Sequence, residues 1–142
     1  MNLLNKIIFI ATAISLIGSS SASFARGDRT RLECTSHLVL EDASARARFE
    51  ARDGRAKFNV EVEARPGGSF QAGDVLRVSI DGEIVGNLVL EQGAVDLITE
   101  LEFDTDLEPG DTELPFPANF PPVSAGSVVQ VGAQFACDLQ DR

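Results

Sequence analysis

The side chains that could do chemistry in this chain are a run of carboxylates, a single histidine and two cysteines. Between Asp96 and Glu113 the sequence carries eight acidic residues and no Lys or Arg. Carboxylates clustered on a loop suit Ca²⁺, which takes roughly six to eight oxygen ligands at about 2.3–2.6 Å. The candidate calcium ligands are Asp104, Asp106, Glu108, Asp111 and Glu113.

The spacing of these carboxylates departs from the best-known calcium loop. The series Asp104-x-Asp106-x-Glu108 opens like an EF-hand, but Pro109 stands where that loop needs glycine. Pro115 then occupies the position of the bidentate glutamate. The sequence therefore excludes an EF-hand and leaves a looser calcium site in a sandwich loop as one interpretation. The interpretation that we favour is a solvated acidic loop without a cofactor.

His37 is the only histidine in the chain. Alternation points it away from the face that carries Cys34 and Leu38, so we expect it to face solvent. One histidine cannot build a His-rich metal site, and no G-x-S-x-G elbow is present for a Ser–His–Asp triad. We therefore assign no catalytic residues and predict that the protein is not an enzyme.

Sugar binding by aromatic stacking is also disfavoured. The chain contains neither Trp nor Tyr. Its phenylalanines mostly fall at positions that alternation directs inward, and we take Phe70, Phe116 and Phe120 as loop exceptions.

Cys34 and Cys137 can form only one intramolecular disulfide, which encloses 137 − 34 = 103 residues. Closing a loop of that length stabilises the fold by roughly 4–5 kcal/mol on the chain-entropy model. A redox-active pair would need a CxxC arrangement or a neighbouring histidine, and neither is present. We predict a structural disulfide that joins the first strand to the last.

The N-terminus has the features of a secretory signal peptide over residues 1–25. A basic Lys6 precedes an apolar run from Ile7 to Ile17, and Ser23 and Ala25 are small residues ahead of a cut before Arg26. The apolar run is shorter than the roughly 20 residues that a membrane-spanning helix needs. We therefore predict cleavage that leaves no membrane anchor, a single domain over residues 26–142, and a periplasmic or secreted location that permits disulfides.

Charge excludes one class of partner. After loss of Lys6 with the signal peptide, 11 basic residues face 22 acidic ones, and residues 66–142 hold two basic against fourteen acidic side chains. This balance repels phosphate backbones, so nucleic acid is excluded as a partner.

Alternation of apolar and polar residues dominates the sequence that positions these groups. Asp53-Gly54 joins two alternating runs and suits a type I′ turn, because both central residues of that turn need positive φ. This turn sets the cross-strand pairs Arg52–Arg55, Glu50–Lys57, Phe49–Phe58, Ala47–Val60, Arg46–Glu61 and Ala45–Val62. One register thus aligns the apolar face and opposes unlike charges on the other face.

The remaining strands follow the same pattern. We predict a hairpin with a three-residue loop at residues 81–83, because a two-residue turn would set Ile80 against Glu83 and mismatch the faces. A first strand presents Leu32, Cys34, Leu38 and Leu40 on one face, and alternation continues over Val95, Leu97, Leu101 and Phe103. A polar, Pro-rich segment spans residues 104–126. The last strand presents Val129, Val131, Ala133, Phe135, Cys137 and Leu139.

About seven short antiparallel strands with turns between them predict an all-β fold, either an Ig-like β-sandwich or a small barrel. Antibody-type features are missing, because there is no Trp to pack on a core disulfide and no Tyr for a tyrosine corner.

A resemblance rests on strand and turn residues between about 45 and 132. The segments are 55–63, 78–86 and Phe120-Pro121-Pro122-Val123, with Gly126, Val128 and Val131 after them. Together they resemble a pattern in small secreted bacterial β-domain proteins of unknown function. The resemblance implies a secreted β-domain and no activity.

These observations favour an exported, non-enzymatic structural or interaction module with an unknown protein partner. The alternative is a calcium-dependent binding or adhesion module that uses the acidic loop of residues 104–113. The basic face of the first hairpin is a second candidate surface, although we expect cross-strand pairing to neutralise most of it; its residues are Arg46, Arg48, Arg52, Arg55 and Lys57.

Overall fold

The computed structural model describes residues 28–142, so the signal peptide predicted for residues 1–25 lies outside the described range. Residues 28–142 form ten strands and one short 3₁₀ turn, Val39–Glu41. The strands are β1 Thr30–Leu38, β2 Ala43–Arg52, β3 Arg55–Ala64, β4 Val75–Ile80, β5 Glu83–Val89, β6 Glu91–Gln92, β7 Leu97–Asp104, β8 Val128–Val131, β9 Phe135–Asp138 and β10 Gln140–Asp141. Residues 28–142 contain no helix that is long and apolar enough to span a membrane.

The strands form two sheets, and every strand pair is antiparallel. The large sheet has six strands in the order β10-β1-β2-β3-β7-β6, and the small sheet has four in the order β5-β4-β8-β9. Their inner faces bury one continuous hydrophobic core, with Phe58, Val60, Val78 and Ile80 fully buried. The all-β, two-sheet prediction is confirmed. The strand count exceeds seven because β6 and β10 are two-residue edge strands and because β8 and β9 are separate.

The first hairpin has the predicted register. Arg52 pairs with Arg55 and Phe49 with Phe58, and all the other predicted pairs are present. Asp53 and Gly54 have φ of 51° and 80°, as a type I′ turn requires. Ala45, Ala47 and Phe49 are buried along β2, while the residues between them are half-buried on the outer face.

The predicted loop of the second hairpin is wrong. Asp81-Gly82 is a two-residue turn with positive φ at both residues, and Ile80 does pair with Glu83. A β-bulge beside Val78 and Ser79 resolves the mismatch of faces that this turn creates. The extra residue lets Val85, rather than Ile84, enter the core, and Ile84 stays 48% exposed.

Besides Ile84, three apolar residues predicted to face inward are exposed. The predicted last strand is the β8–β9 hairpin followed by β10, because Gly132 takes a φ of 58° and turns the chain. Ala133 therefore lies in the turn. β1 ends at Leu38, so Leu40 lies in the 3₁₀ turn and is 100% exposed. Val95 precedes β7 and is also exposed.

The two sides of the sandwich are closed in related ways. Each edge strand of the small sheet continues into a short edge strand of the large sheet through one buried leucine: β5 into β6 through Leu90, and β9 into β10 through Leu139. On the second side the Cys34–Cys137 disulfide joins β1 to β9, with 5.8 Å between the Cα atoms. The predicted disulfide is confirmed, and it bridges the two sheets.

The Pro-rich segment between β7 and β8 supplies aromatic rings to the core. Phe116 and Phe120 are half-buried and meet edge to face, with 4.7 Å between ring centroids. Phe120 also contacts Phe58 with 5.4 Å between the centroids. Phe70, which lies before β4, is buried and stacks on Phe135. The three phenylalanines taken as loop exceptions thus pack against the core instead of forming an exposed platform.

Candidate functional site

The acidic segment, residues 96–113, includes β7 and the loop after it, and β7 pairs with β3 of the first hairpin. Lys57 of β3 lies among its carboxylates. Lys57 Nζ is 3.8 Å from Asp104 Oδ2 and 3.6 Å from Glu113 Oε1, and it also pairs with Glu102. The hydrogen bond to Glu102, together with the charges of all three carboxylates, raises the pKa of Lys57 despite its partial burial. The densest part of the acidic segment therefore already holds a cation of the chain itself.

Asp106 and Asp111 have structural roles, and Glu108 takes part through its backbone N–H. Asp106 pairs with Arg55 at 2.6 Å, and the Asp106 N–H donates to Asp104 Oδ1 at 2.8 Å. The Glu108 N–H donates to Asp111 Oδ2 at 2.6 Å, which closes a turn. No three His, Cys, Asp or Glu side chains within residues 28–142 are grouped as ligands of one metal ion. The calcium site stays a prediction, without a preformed cage to support it.

His37 is exposed on the outer face of the large sheet, as predicted. It lies directly opposite Ser44, and Ser44 lies opposite Glu63, so the three form one cross-strand row. A triad needs the imidazole between the hydroxyl and the carboxylate. Here the serine lies between the other two. No side-chain hydrogen bond connects the three within the described chain, although they line a cleft of about 490 Å³.

Ion pairs cover the basic face of the first hairpin. Glu33 accepts hydrogen bonds from Arg46 and Arg142, and Glu33 Oε2 lies 3.9 Å from Arg48 Nε. Burial alone raises the pKa of Glu33, but the hydrogen bonds and charges of Arg46 and Arg142 outweigh it and hold that pKa below its usual value.

The ion pairs differ from those that register alone suggests. Glu50 and Lys57 lie opposite each other, as do Arg46 and Glu61. Even so, Glu50 binds Arg31 at 2.8 Å, Lys57 binds Glu102 across to β7, and Arg46 binds Glu33 across to β1. Long side chains reach diagonal and next-strand neighbours, so the pairing extends over four strands. The prediction that pairing neutralises this face is confirmed, with different partners.

The outer face of the small sheet is mostly apolar and uncharged, in contrast to the charged face of the large sheet, and the sequence did not predict it. Its residues are Val75, Arg77, Ser79, Ile84, Asn87, Val89, Val128, Gln130, Ala136 and Asp138. Val75 and Val89 are cross-strand neighbours and are 63% and 47% exposed. Arg77 and Asp138 are its charged residues.

Arg77 is the exception among the basic residues. Of the ten Lys and Arg side chains in residues 28–142, nine lie within 4.0 Å of a carboxylate oxygen, and Arg77 does not. It lines a shallow groove of about 640 Å³ together with Val75, Ile84, Asn87 and Gln130. Alternation along β4 could have placed Arg77 outward, but its lack of a partner depends on which strands become neighbours.

The fold and the disulfide define the class: a disulfide-linked, two-sheet antiparallel β-sandwich. Comparison with protein-family models, with curated proteins and with solved structures finds no match to the chain. The resemblance to small secreted bacterial β-domain proteins therefore stays a prediction.

Proposed function

We propose that this protein is an exported, non-enzymatic interaction module that binds a protein partner through the outer face of the small sheet. The observation that carries the proposal is the contrast between the two outer faces. On the outer face of the large sheet, charged side chains are abundant and every basic one is paired within the described residues, while Glu61 and Glu63 have no ion pair there. On the small sheet, apolar and amide side chains surround Arg77, which has no carboxylate partner among the described residues.

The physical argument concerns desolvation. Burying a surface of paired charges under a partner removes their water and gains little, whereas apolar side chains gain from leaving water. A charge-depleted centre that contains an arginine is typical of protein interfaces. An unpaired guanidinium also offers several N–H donors in a fixed fork that matches a carboxylate.

Export is supported by two further features. The disulfide between Cys34 and Cys137 suits an oxidising compartment, and cytosolic proteins rarely keep one. The first 25 residues have the composition of a signal peptide. A periplasmic or secreted protein is the proposal that accounts for both.

Site-specific photo-cross-linking tests the binding face. A photoreactive amino acid at Asn87, on the small sheet, is compared in living cells with one at Glu61, on the large sheet. We expect a discrete protein adduct from position 87, weaker or absent from position 61, and lost when Arg77→Glu is added.

The comparison has two outcomes that contradict the proposal. If position 87 gives no adduct under conditions in which the protein is exported and oxidised, the small sheet is not a binding face. If both positions give the same adducts, and Arg77→Glu changes neither, the contacts are collisions rather than binding.

A further inference from the structure

The outer face of the small sheet carries two unpaired charges of opposite sign. Arg77 on β4 and Asp138 on β9 both point outward, because their neighbours Leu76, Val78 and Cys137 point into the sandwich. Neither has an ion-pair partner among residues 28–142. In a chain whose other described cations are all paired internally, this leaves one donor and one acceptor available on a single face.

The strand register fixes where these charges lie. Val78 pairs with Val131, and the Gly132 N–H donates to the Arg77 carbonyl at 2.8 Å, so Arg77 lies beside Gly132. Asp138 pairs with Val128 at the other end of β8. Since β8 lies between β4 and β9, Gln130 is at the midpoint of the diagonal from Arg77 to Asp138, which is roughly 16 Å long.

We propose that two copies of this chain associate through the outer faces of their small sheets, with Arg77 of each copy paired to Asp138 of the other. The two-fold axis lies between the small sheet of one copy and the small sheet of the other, and it is parallel to both. It passes over Gln130 and runs perpendicular to the Arg77–Asp138 diagonal. A rotation about that axis exchanges the two ends of the diagonal, so both ion pairs form together.

The same rotation brings apolar residues together. Ile84 lies on β5 in the row of Ser79 and Gln130, and Val128 lies next to Asp138. The operation places Ile84 of one copy over Val128 of the other, and the reverse. Ile84 and Val128 are 48% and 41% exposed in the single chain, so each has surface to bury.

Self-complementarity selects a second copy over other occupants. An isologous interface requires that residue i meet residue j while j meets i, and one cation and one anion placed symmetrically about a centre satisfy this. Asp138 would repel a purely acidic partner, and Arg77 would repel a purely basic one. The face is about 20 Å on each side, or about 400 Å², which is less than the roughly 800 Å² per partner of a stable complex, so the dimer is weak and concentration-dependent.

This inference rests on the proposed function, because it names the partner of the same face. Sedimentation velocity of the mature, oxidised protein from about 5 µM to about 1 mM tests it. We expect a monomer–dimer equilibrium in that range. Arg77→Glu and Asp138→Arg should each raise the dissociation constant at least about tenfold, and the double reversal should restore it to within about threefold. Arg52→Glu, on the opposite sheet, is the matched control and should leave it unchanged.

Each alternative result overturns the inference. If the wild type stays monomeric throughout, or if single reversals do not weaken the dimer, this interface does not form. If the single reversals weaken the dimer and the double reversal does not restore it, Arg77 and Asp138 are not paired. A monomeric wild type leaves the proposed function standing when position 87 still cross-links to a different protein, so the two failures are distinguishable.

Discussion

At the scale of single residues, Glu33 shows how the large sheet uses its charges. It is on β1 between the arginines of β2 and the C-terminal Arg142, and only 17% of its side chain is exposed. Its hydrogen bonds to two arginines favour the ionised form, so the pKa of Glu33 is lower in the folded state than in the unfolded chain. Arg46 and Arg48 of β2 and the distant Arg142 thereby share one carboxylate.

Glu33 should contribute stability that depends on pH. Because its folded pKa is depressed, the contribution is complete above the unfolded pKa and is lost as pH falls through the folded pKa. Glu33→Gln is expected to lower the free energy of unfolding by about 1–2 kcal/mol at pH 7 and to flatten the acid side of the stability curve. Urea unfolding from pH 7 to pH 3 measures both effects. Glu63→Gln, at an exposed glutamate without an ion pair among residues 28–142, is the control, and an equal loss in both variants would contradict this role.

Lys57 connects the residue scale to the calcium question. Removing its charge with Lys57→Met leaves Glu102, Asp104 and Glu113 without the cation they share. We expect the variant to be less stable by about 1 kcal/mol and to regain stability with millimolar Ca²⁺, since a divalent ion can replace the lost charge. Thermal melts of both proteins with Ca²⁺ and with EDTA check this. A wild type that EDTA destabilises would instead support the calcium site predicted from the sequence.

At the scale of elements, the two hairpin turns share the same backbone conformation. Gly54 and Gly82 have φ of 80° and 85°, and a Cβ added at either would have no heavy atom within 4 Å. Replacing either glycine with alanine should therefore cost about 1–2 kcal/mol, all of it from the left-handed backbone and none from a clash. Gly86→Ala differs, because its Cβ would lie 2.8 Å from Leu101 Cδ2. Chemical denaturation of the three variants measures these costs, and full stability in Gly54→Ala or Gly82→Ala would contradict this origin.

The hairpins also show how far the sequence could predict the elements. The register of β2 and β3 followed from the turn and alternation because each residue obeys the period-two pattern. The β4–β5 register did not follow at the turn, since a bulge adds a residue that the pattern alone cannot locate. Leu76 and Val78 nevertheless lie opposite Leu88 and Gly86, as the predicted three-residue loop would also place them. The β8–β9 turn was missed because Gly132 lies within a continuous alternating run. The unpaired state of Arg77 was beyond prediction, because it depends on which strands pair across the sheet.

At the scale of the whole molecule, the disulfide connects the two sheets at the side where β9 passes into β10. Its loop of 103 residues implies that Cys34→Ser with Cys137→Ser lowers the free energy of unfolding by roughly 4–5 kcal/mol. Urea titration of the oxidised protein and of the double variant measures the difference. The effect should equal that of reducing the wild type. A loss below about 1 kcal/mol would mean that the unfolded chain is not constrained as the loop length implies.

The charge of the whole molecule opposes the association proposed for the small sheet. The formal net charge at pH 7 is −10 for the full chain and 11 − 22 = −11 without residues 1–25, and the carboxylates of residues 66–142 greatly outnumber the two arginines there. Two copies therefore repel each other at long range, while the contact itself holds two Arg–Asp pairs and apolar side chains.

The Debye length falls from about 30 Å at 0.01 M salt to about 8 Å at 0.15 M. Salt should screen the repulsion between distant charges more strongly than the short ion pairs, so dimerisation should strengthen over this range. Sedimentation at several salt concentrations tests the balance. If added salt weakens the dimer from the lowest concentration, attraction between exposed charges drives association, and the apolar face is not its main source.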